Sequence, residues 1–240
     1  MSPSVASRVA ARDGFVAHVG HLSLETFRAL ADVRTWGPLL VPQMRRLGVD
    51  SVPIALFIAV FTGAVPMYFV GALVGKTIMM ELGPVLTGMA LAGRVGASIA
   101  AELGTMKVTE QVDALETLAY DRNSYLIVPR VLAATLMFPV VTAFAMSVGV
   151  FSGWITAINL LDLSSPDFLK GLKLFYRFKD IWFGLIKSAS FGAAVALMGC
   201  LRGLDAQAGA AGVGLSTTRA VVLGCEAILV LDAFWALVLL

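Results

Sequence analysis

Five long stretches of the chain are almost continuously apolar, and they dominate its pattern of hydrophobic and polar positions. They cover residues 52–74, 82–101, 131–158, 181–201 and 220–240. About 20 apolar residues in a helix, each rising about 1.5 Å, cross a hydrocarbon core of about 30 Å. The pattern therefore predicts an all-α membrane protein with five transmembrane helices. The stretch at 131–158 is longer than a span needs, and we expect it to be tilted or broken.

An amphipathic pattern precedes the first stretch. From Phe15 to Trp36 apolar residues recur at mostly helical steps, with charged residues on the other side, until Pro38 and Pro42 interrupt the pattern. We interpret residues 14–46 as an interfacial helix on the membrane surface. A small helix packed on a soluble neighbour is the alternative.

Composition supports a membrane protein and excludes other classes. Of the 240 residues 58% are hydrophobic and 14% are charged, whereas a soluble domain has about 25% charged residues. The net charge of +2, without a run of like charges, argues against a nucleic-acid binder. We treat residues 1–240 as one domain, with residues 52–240 as its transmembrane region.

The distribution of Lys and Arg predicts the orientation. With five spans and a cytoplasmic N-terminus, eleven of these residues lie inside and five outside, which the positive-inside rule favours. The C-terminus is then periplasmic. The five outer residues are Lys76, Lys170, Lys173, Arg177 and Lys179.

A short cytoplasmic helix is predicted at 109–118. Thr109 is a suitable N-cap, and Val112, Leu115 and Leu118 form an apolar stripe. We expect this apolar stripe to be buried against another surface. The membrane surface, the rest of the chain and a soluble partner are the three candidates.

Two motifs suggest chemistry that the rest of the sequence does not support. The string at 71–77 has three residues between its glycines, whereas a phosphate-binding loop has four. His18 and His21 have no accompanying ligand set for a metal. We therefore expect no catalytic residue, metal or cofactor in this chain, and any ATP to be bound and hydrolysed on another chain.

Ionisable residues inside the spans are candidates for function or pairing, because a lone charge there is costly. Counting residues from the ends of the spans places Arg94 and Glu226 at similar depth in the membrane, and likewise Glu81 and Lys187. We predict a structural pair for the first two residues and a polar cavity lined by the second two. The intramembrane candidates are Arg94, Glu102, Lys187, Glu226 and Asp232.

One face of the second stretch consists of small residues four apart, which allows two helix backbones to approach closely. Packing within the chain and a homodimer contact explain such a face equally well. The residues are Gly88, Ala92, Gly96 and Ala100.

Several motifs together resemble the MlaE/YrbE family, the permease subunits of ABC transporters that act on lipids with MCE proteins. The match is most specific over 81–139. The motif residues are Glu81-Leu-Gly-Pro84, Ala92-Gly93-Arg94, Ala101-Glu102-Leu-Gly104-Thr-Met106, Thr109-Glu110-Gln111, Ala114-Leu115-Glu116 and Pro129-Arg130.

The resemblance implies a homodimer of five-span subunits, two cytoplasmic ATPases and an MCE-domain ring beyond the membrane. It implies that Glu110 and Gln111, with the apolar Val112 and Leu115, belong to a helix that couples to the ATPase. It also implies that Glu81 and Lys187 lie near a lipid between the two protomers. The chain departs from the family at Met80, where a basic residue is frequent, and in a shorter stretch at 61–80.

The sequence thus predicts an inner-membrane permease that moves phospholipid or a related lipid between the membrane and an MCE partner. An ion-coupled secondary transporter that uses Glu102, Glu226 or Asp232 as proton sites is the main alternative. A membrane scaffold without transport is a third.

Overall fold

The regular elements in the described part of the chain are all helical, as the sequence predicts. A computed structural model describes residues 19–26, 28–30, 33–63, 72–160, 164–175, 177–207 and 209–239. Two π-helical segments, Ile78–Leu82 and Ala92–Gly96, join consecutive α-helices without a break, and a third, Asn123–Ile127, directly precedes a long α-helix. The α-helices are α1 (Val33–Leu47), α2 (Val52–Gly63), α3 (Ala72–Thr77), α4 (Gly83–Leu91), α5 (Ala97–Val108), α6 (Gln111–Thr117), α7 (Val128–Leu160), α8 (Ser165–Phe175), α9 (Phe178–Leu204) and α10 (Ala210–Leu239).

Four helical stretches within the described ranges are long and apolar enough to cross a membrane. We name them span A (Gly75–Val108), span B (Asn123–Asn159), span C (Phe178–Leu204) and span D (Ala210–Val238). Four of the five predicted stretches lie in them, and the protein is an integral membrane protein. In span B, α7 continues through Pro139, so this span is unbroken and longer than a hydrocarbon core of about 30 Å.

The first predicted stretch, 52–74, is not confirmed as a span. Its described parts are α2, with 12 residues, and the first three residues of α3, 72–74. A 12-residue helix rises only about 18 Å. Residues 64–71 lie outside the described residues, so the fifth span stays a prediction.

The predicted N-terminal helix differs from the structure at its prolines. Residues 19–26 are helical, residues 14–18 lie outside the described residues, and α1 continues through both Pro38 and Pro42. Both prolines are on the exposed side of α1, where a lost backbone hydrogen bond costs less than in the core. On the other side, Leu47 is buried and Met44 packs against the core. This packing outweighs the two lost backbone hydrogen bonds.

The small-residue face of span A packs within the chain. A Cβ on Gly88 would lie 3.2 Å from Phe191 of span C, and one on Gly203 would lie 3.1 Å from the carbonyl oxygen of Ala100. A Cβ on Gly224 of span D would lie 3.6 Å from Ala92. Of the two explanations for this face, the structure therefore supports contact between spans A, C and D of one chain.

The predicted helix at 109–118 is shorter in the structure. It spans Gln111–Thr117, and its N-cap is Glu110, which has a left-handed backbone with φ 60°. The Thr109 hydroxyl donates a hydrogen bond to the Thr105 carbonyl oxygen instead of capping the helix. We call the end of the bundle that carries α6 the coupling end, and the opposite end, which carries α8, the distal end.

Span B begins at a carboxylate cap. Asp121 accepts hydrogen bonds from the backbone N–H groups of Asn123 and Ser124 and from the Ser124 hydroxyl. Burial alone would raise the pKa of Asp121, but the Ser124 hydroxyl, these two N–H groups and the Arg122 charge hold the pKa below its usual value. The ionised carboxylate therefore stabilises the turn between α6 and span B.

Candidate functional site

A buried lysine holds three spans together near the distal half of the bundle. The Lys187 side chain in span C is 0% exposed, and its Nζ donates a 2.7 Å hydrogen bond to Oε2 of Glu81 in span A. Oδ1 of Asp232 in span D lies 2.6 Å from the same Nζ. We call Glu81, Lys187 and Asp232 the lysine cluster. The two residues that the sequence placed together are indeed paired, and Asp232 joins them.

Close backbone packing brings Glu81 to Lys187. Glu81 lies in the π-helical segment Ile78–Leu82, and such segments change the direction of side chains along a helix. Gly184 lies one turn before Lys187, and a Cβ there would clash with the carbonyl oxygen of Met79 and lie 2.8 Å from Cε of Met146. Only glycine therefore lets span C approach span A at this level.

A second set of hydrogen bonds fixes span D beside the lysine cluster. The Trp235 indole N–H donates to the Ser190 hydroxyl over 3.0 Å, and that hydroxyl donates to the Lys187 carbonyl oxygen over 2.6 Å. The Trp235 ring also contacts Phe183 edge-on, with the centroids 5.3 Å apart. Because Trp235 lies about one turn after Asp232, these contacts set the position of the Asp232 carboxylate.

A second ionic network lies at the coupling end. Glu102 binds two arginines: Oε2 is 2.7 Å from Nη1 of Arg46 in α1, and Oε1 is 3.0 Å from Nη2 of Arg130 in span B. Arg130 is buried and also donates to the Leu126 carbonyl oxygen. Glu102 therefore joins α1, span A and span B. From the sequence, Glu102 was a candidate for pairing or for proton binding, but neither partner was identified, because they lie 56 and 28 positions away.

The predicted Arg94–Glu226 pair is not formed in the described chain. Both side chains are exposed, and the ion pairs among the described residues include neither. Ala92 and Gly96, on the packed face of span A, are buried. Arg94 between them therefore points away from the contact that brings spans A and D together.

The residues predicted for ATPase coupling divide into a buried and an exposed set. Val112 is fully buried in the core, and Leu115 packs partly against it. Glu110 and Gln111 are exposed, and Leu118 at the C-cap is 68% exposed. The rest of the chain thus covers most of the apolar stripe, and a polar face with one large apolar residue remains accessible.

The described residues contain no group of three or more His, Cys, Asp or Glu side chains that could hold a metal. His21 lies 3.4 Å from Glu25, and His18 lies outside the described residues. The glycine string at 71–77 is α-helical from Ala72, which differs from the loop that a phosphate site needs.

Comparisons with known proteins identify the family of this chain. The pattern of the family described as Permease MlaE matches residues 40–238. A probable ABC transporter permease protein of Synechocystis is 40% identical over 205 residues, which cover 80% of this chain and 78% of that protein.

Two further relatives are similar over a larger share of the chain. A probable ABC transporter permease protein of Rickettsia prowazekii is 37% identical, covering 87% of this chain and 86% of that protein. The intermembrane phospholipid transport system permease protein MlaE of Haemophilus influenzae is 32% identical, covering 91% and 94%. This chain therefore belongs to the MlaE family of ABC transporter permeases.

Proposed function

We propose that this chain is the transport subunit that moves phospholipid or a related lipid between the inner membrane and an MCE-domain partner. The observation that carries the proposal is the lysine cluster, three ionisable side chains from three spans of an MlaE-family permease. Charges inside spans are costly and mark substrate or ion pathways. The relative from Haemophilus influenzae is named for phospholipid transport.

We place the energy source on a separate chain. In this proposal two ATPase subunits bind ATP on the cytoplasmic side, and this chain holds no cofactor and catalyses no covalent step. Their closure acts on α6, which directly follows span A and precedes span B. Since Glu102 ties both spans to α1 near this end, a displacement of α6 would reach three elements together.

The described ends of the first predicted stretch support a fifth crossing. Arg46, just before it, is bonded to Glu102 at the coupling end. Gly75, just after it, packs against Leu172 of α8 at the distal end. The chain must pass from one end to the other between these points. Together with the charge distribution, this supports a cytoplasmic N-terminus and a periplasmic C-terminus.

A second copy of the chain would complete the lipid cavity. The side chains of Glu81 and Asp232 are partly exposed in the single chain, and span D has large exposed apolar residues such as Val230 and Phe234. A homodimer would enclose these groups between two protomers. The ion pairs of Glu102 with Arg46 and Arg130 give this residue a structural role, which counts against its use as a proton site in the ion-coupled alternative.

Co-purification with the cognate ATPase tests the coupling role. We expect the double variant Glu110→Ala/Gln111→Ala and the single variant Leu118→Asp to lose most of the bound ATPase while the permease still inserts. Leu118→Asp is cleaner than Leu115→Asp, since Leu115 also packs on the core. Leu169→Asp is the matched control, because Leu169 is an exposed leucine of α8 at the distal end. Unchanged ATPase binding and turnover in both α6 variants would contradict the assignment.

A further inference from the structure

The lysine cluster carries an unbalanced negative charge. It holds one ammonium and two carboxylates, and within the described residues no other cation forms an ion pair with Glu81 or Asp232. Residues 79 and 80, which precede Glu81, are both methionine. One negative charge inside the membrane spans is therefore left for a partner to neutralise.

The exposed part of the cluster is its negative part. Lys187 is 0% exposed and is held between the two carboxylates, whereas the Glu81 side chain is 43% exposed and that of Asp232 is 25% exposed. A molecule that reaches the cluster thus meets the two acidic side chains before it meets the ammonium, although Oδ1 of Asp232 itself is buried. An anionic headgroup would be repelled there, and a cationic group would be attracted.

We propose that the lysine cluster selects lipids whose headgroup carries an ammonium, as in phosphatidylethanolamine, over anionic lipids without one, as in phosphatidylglycerol. The ammonium would bind the exposed carboxylates and bring the cluster to neutrality. Lys187 holds the two carboxylates in place and does not bind the lipid phosphate. This inference rests on the proposed function and specifies the substrate of the same site.

Lipid retention by the purified full-length protein tests the selection. The protein is equilibrated in mixed micelles with equimolar phosphatidylethanolamine and phosphatidylglycerol of identical acyl chains and then washed. Mass spectrometry then gives the ratio of the bound lipids. We expect phosphatidylethanolamine to be enriched roughly fivefold, the ratio that a single partly exposed ion pair supports.

Variants locate the selection. Glu81→Gln and Asp232→Asn should each lower the enrichment towards one, because each removes one negative charge with little change in shape. Asp167→Asn is the matched control, since Asp167 is an exposed carboxylate of α8 outside the spans, and it should keep the wild-type ratio. Thermal unfolding of each variant identifies any that fail to fold.

Three outcomes overturn the inference. Equal retention of both lipids would mean that a proton neutralises the cluster. Preference for phosphatidylglycerol would mean that Lys187 binds the lipid phosphate. An enrichment of phosphatidylethanolamine that both cluster variants retain would place the selection elsewhere in the protein. In each case lipid is still bound, so the proposed function stands. Failure of the proposed function has a different signature: the complex with its ATPase retains and moves neither lipid.

Discussion

Replacing Glu102 by alanine should destabilise the protein much more than replacing its partner Arg46. The Glu102 carboxylate binds the exposed Arg46 with one oxygen and the buried Arg130 with the other. Without it, the Arg130 guanidinium keeps its 2.6 Å hydrogen bond to the Leu126 carbonyl oxygen but loses its counter-charge. Without Arg46, the carboxylate keeps Arg130.

The difference follows from exposure. Arg130 is 4% exposed, and removing one partner of a buried ion pair costs about 3–5 kcal/mol, because the other charge is left without compensation. Glu102 is 26% exposed, which admits some solvent and places the expected loss near 3 kcal/mol. The Arg46 side chain is 50% exposed, and a pair of that kind contributes about 0–1 kcal/mol.

Reversible unfolding of the purified protein in mixed micelles, driven by increasing fractions of a denaturing detergent, measures these free energies. Lys107→Ala is the matched control, because Lys107 makes an exposed 2.7 Å pair with Asp113 at the same end of the bundle. We expect it to behave like Arg46→Ala. If Arg46→Ala or Lys107→Ala costs as much as Glu102→Ala, the explanation from burial is refuted.

Three further predictions concern other regions. Gly184→Ala should lower the free energy of unfolding by about 1–3 kcal/mol, measured in micelles, because it pushes span C away from span A and weakens the Lys187 pair. Gly93→Ala should be nearly neutral, because a Cβ at this position has nothing within 4 Å. Asp121→Ala should have a lower free energy of unfolding than the wild type at pH 7. This difference should disappear as the pH falls from about 4 through the lowered pKa of Asp121, because the wild-type carboxylate is then protonated. A difference that is constant with pH would contradict the role of the charge. A reporter fused after Leu240 should be active only in the periplasm, and a cytoplasmic signal would contradict five spans with a cytoplasmic N-terminus.

Hydropathy was sufficient to predict the all-helical fold and four of the spans, because a membrane-crossing helix needs only length and apolar composition. Depth along the spans was also sufficient to bring Glu81 and Lys187 together. Asp232 was among the intramembrane candidates, but nothing in the sequence singled it out as the second carboxylate.

Rotation of each helix about its own axis was not predictable from one sequence. That rotation decides that Arg94 points away from span D and that Glu102 meets Arg46 and Arg130. The local pattern of apolar residues does not determine this rotation, because contacts between helices that are distant in sequence fix it. The path of α1 through Pro38 and Pro42 was missed for a similar reason: proline is read as a helix breaker, and packing of the opposite face decided the outcome.

The hydrogen bond from Trp235 to Ser190 makes Trp235 an intrinsic fluorescence probe of the lysine cluster. The indole lies about one turn from Asp232 and is linked through the Ser190 hydroxyl to the Lys187 backbone. Indole emission shifts with the polarity around the ring, so a chain whose other three tryptophans are replaced by phenylalanine would report on the hydration of the lysine cluster. The arrival of a headgroup could then be followed in real time without a labelled lipid.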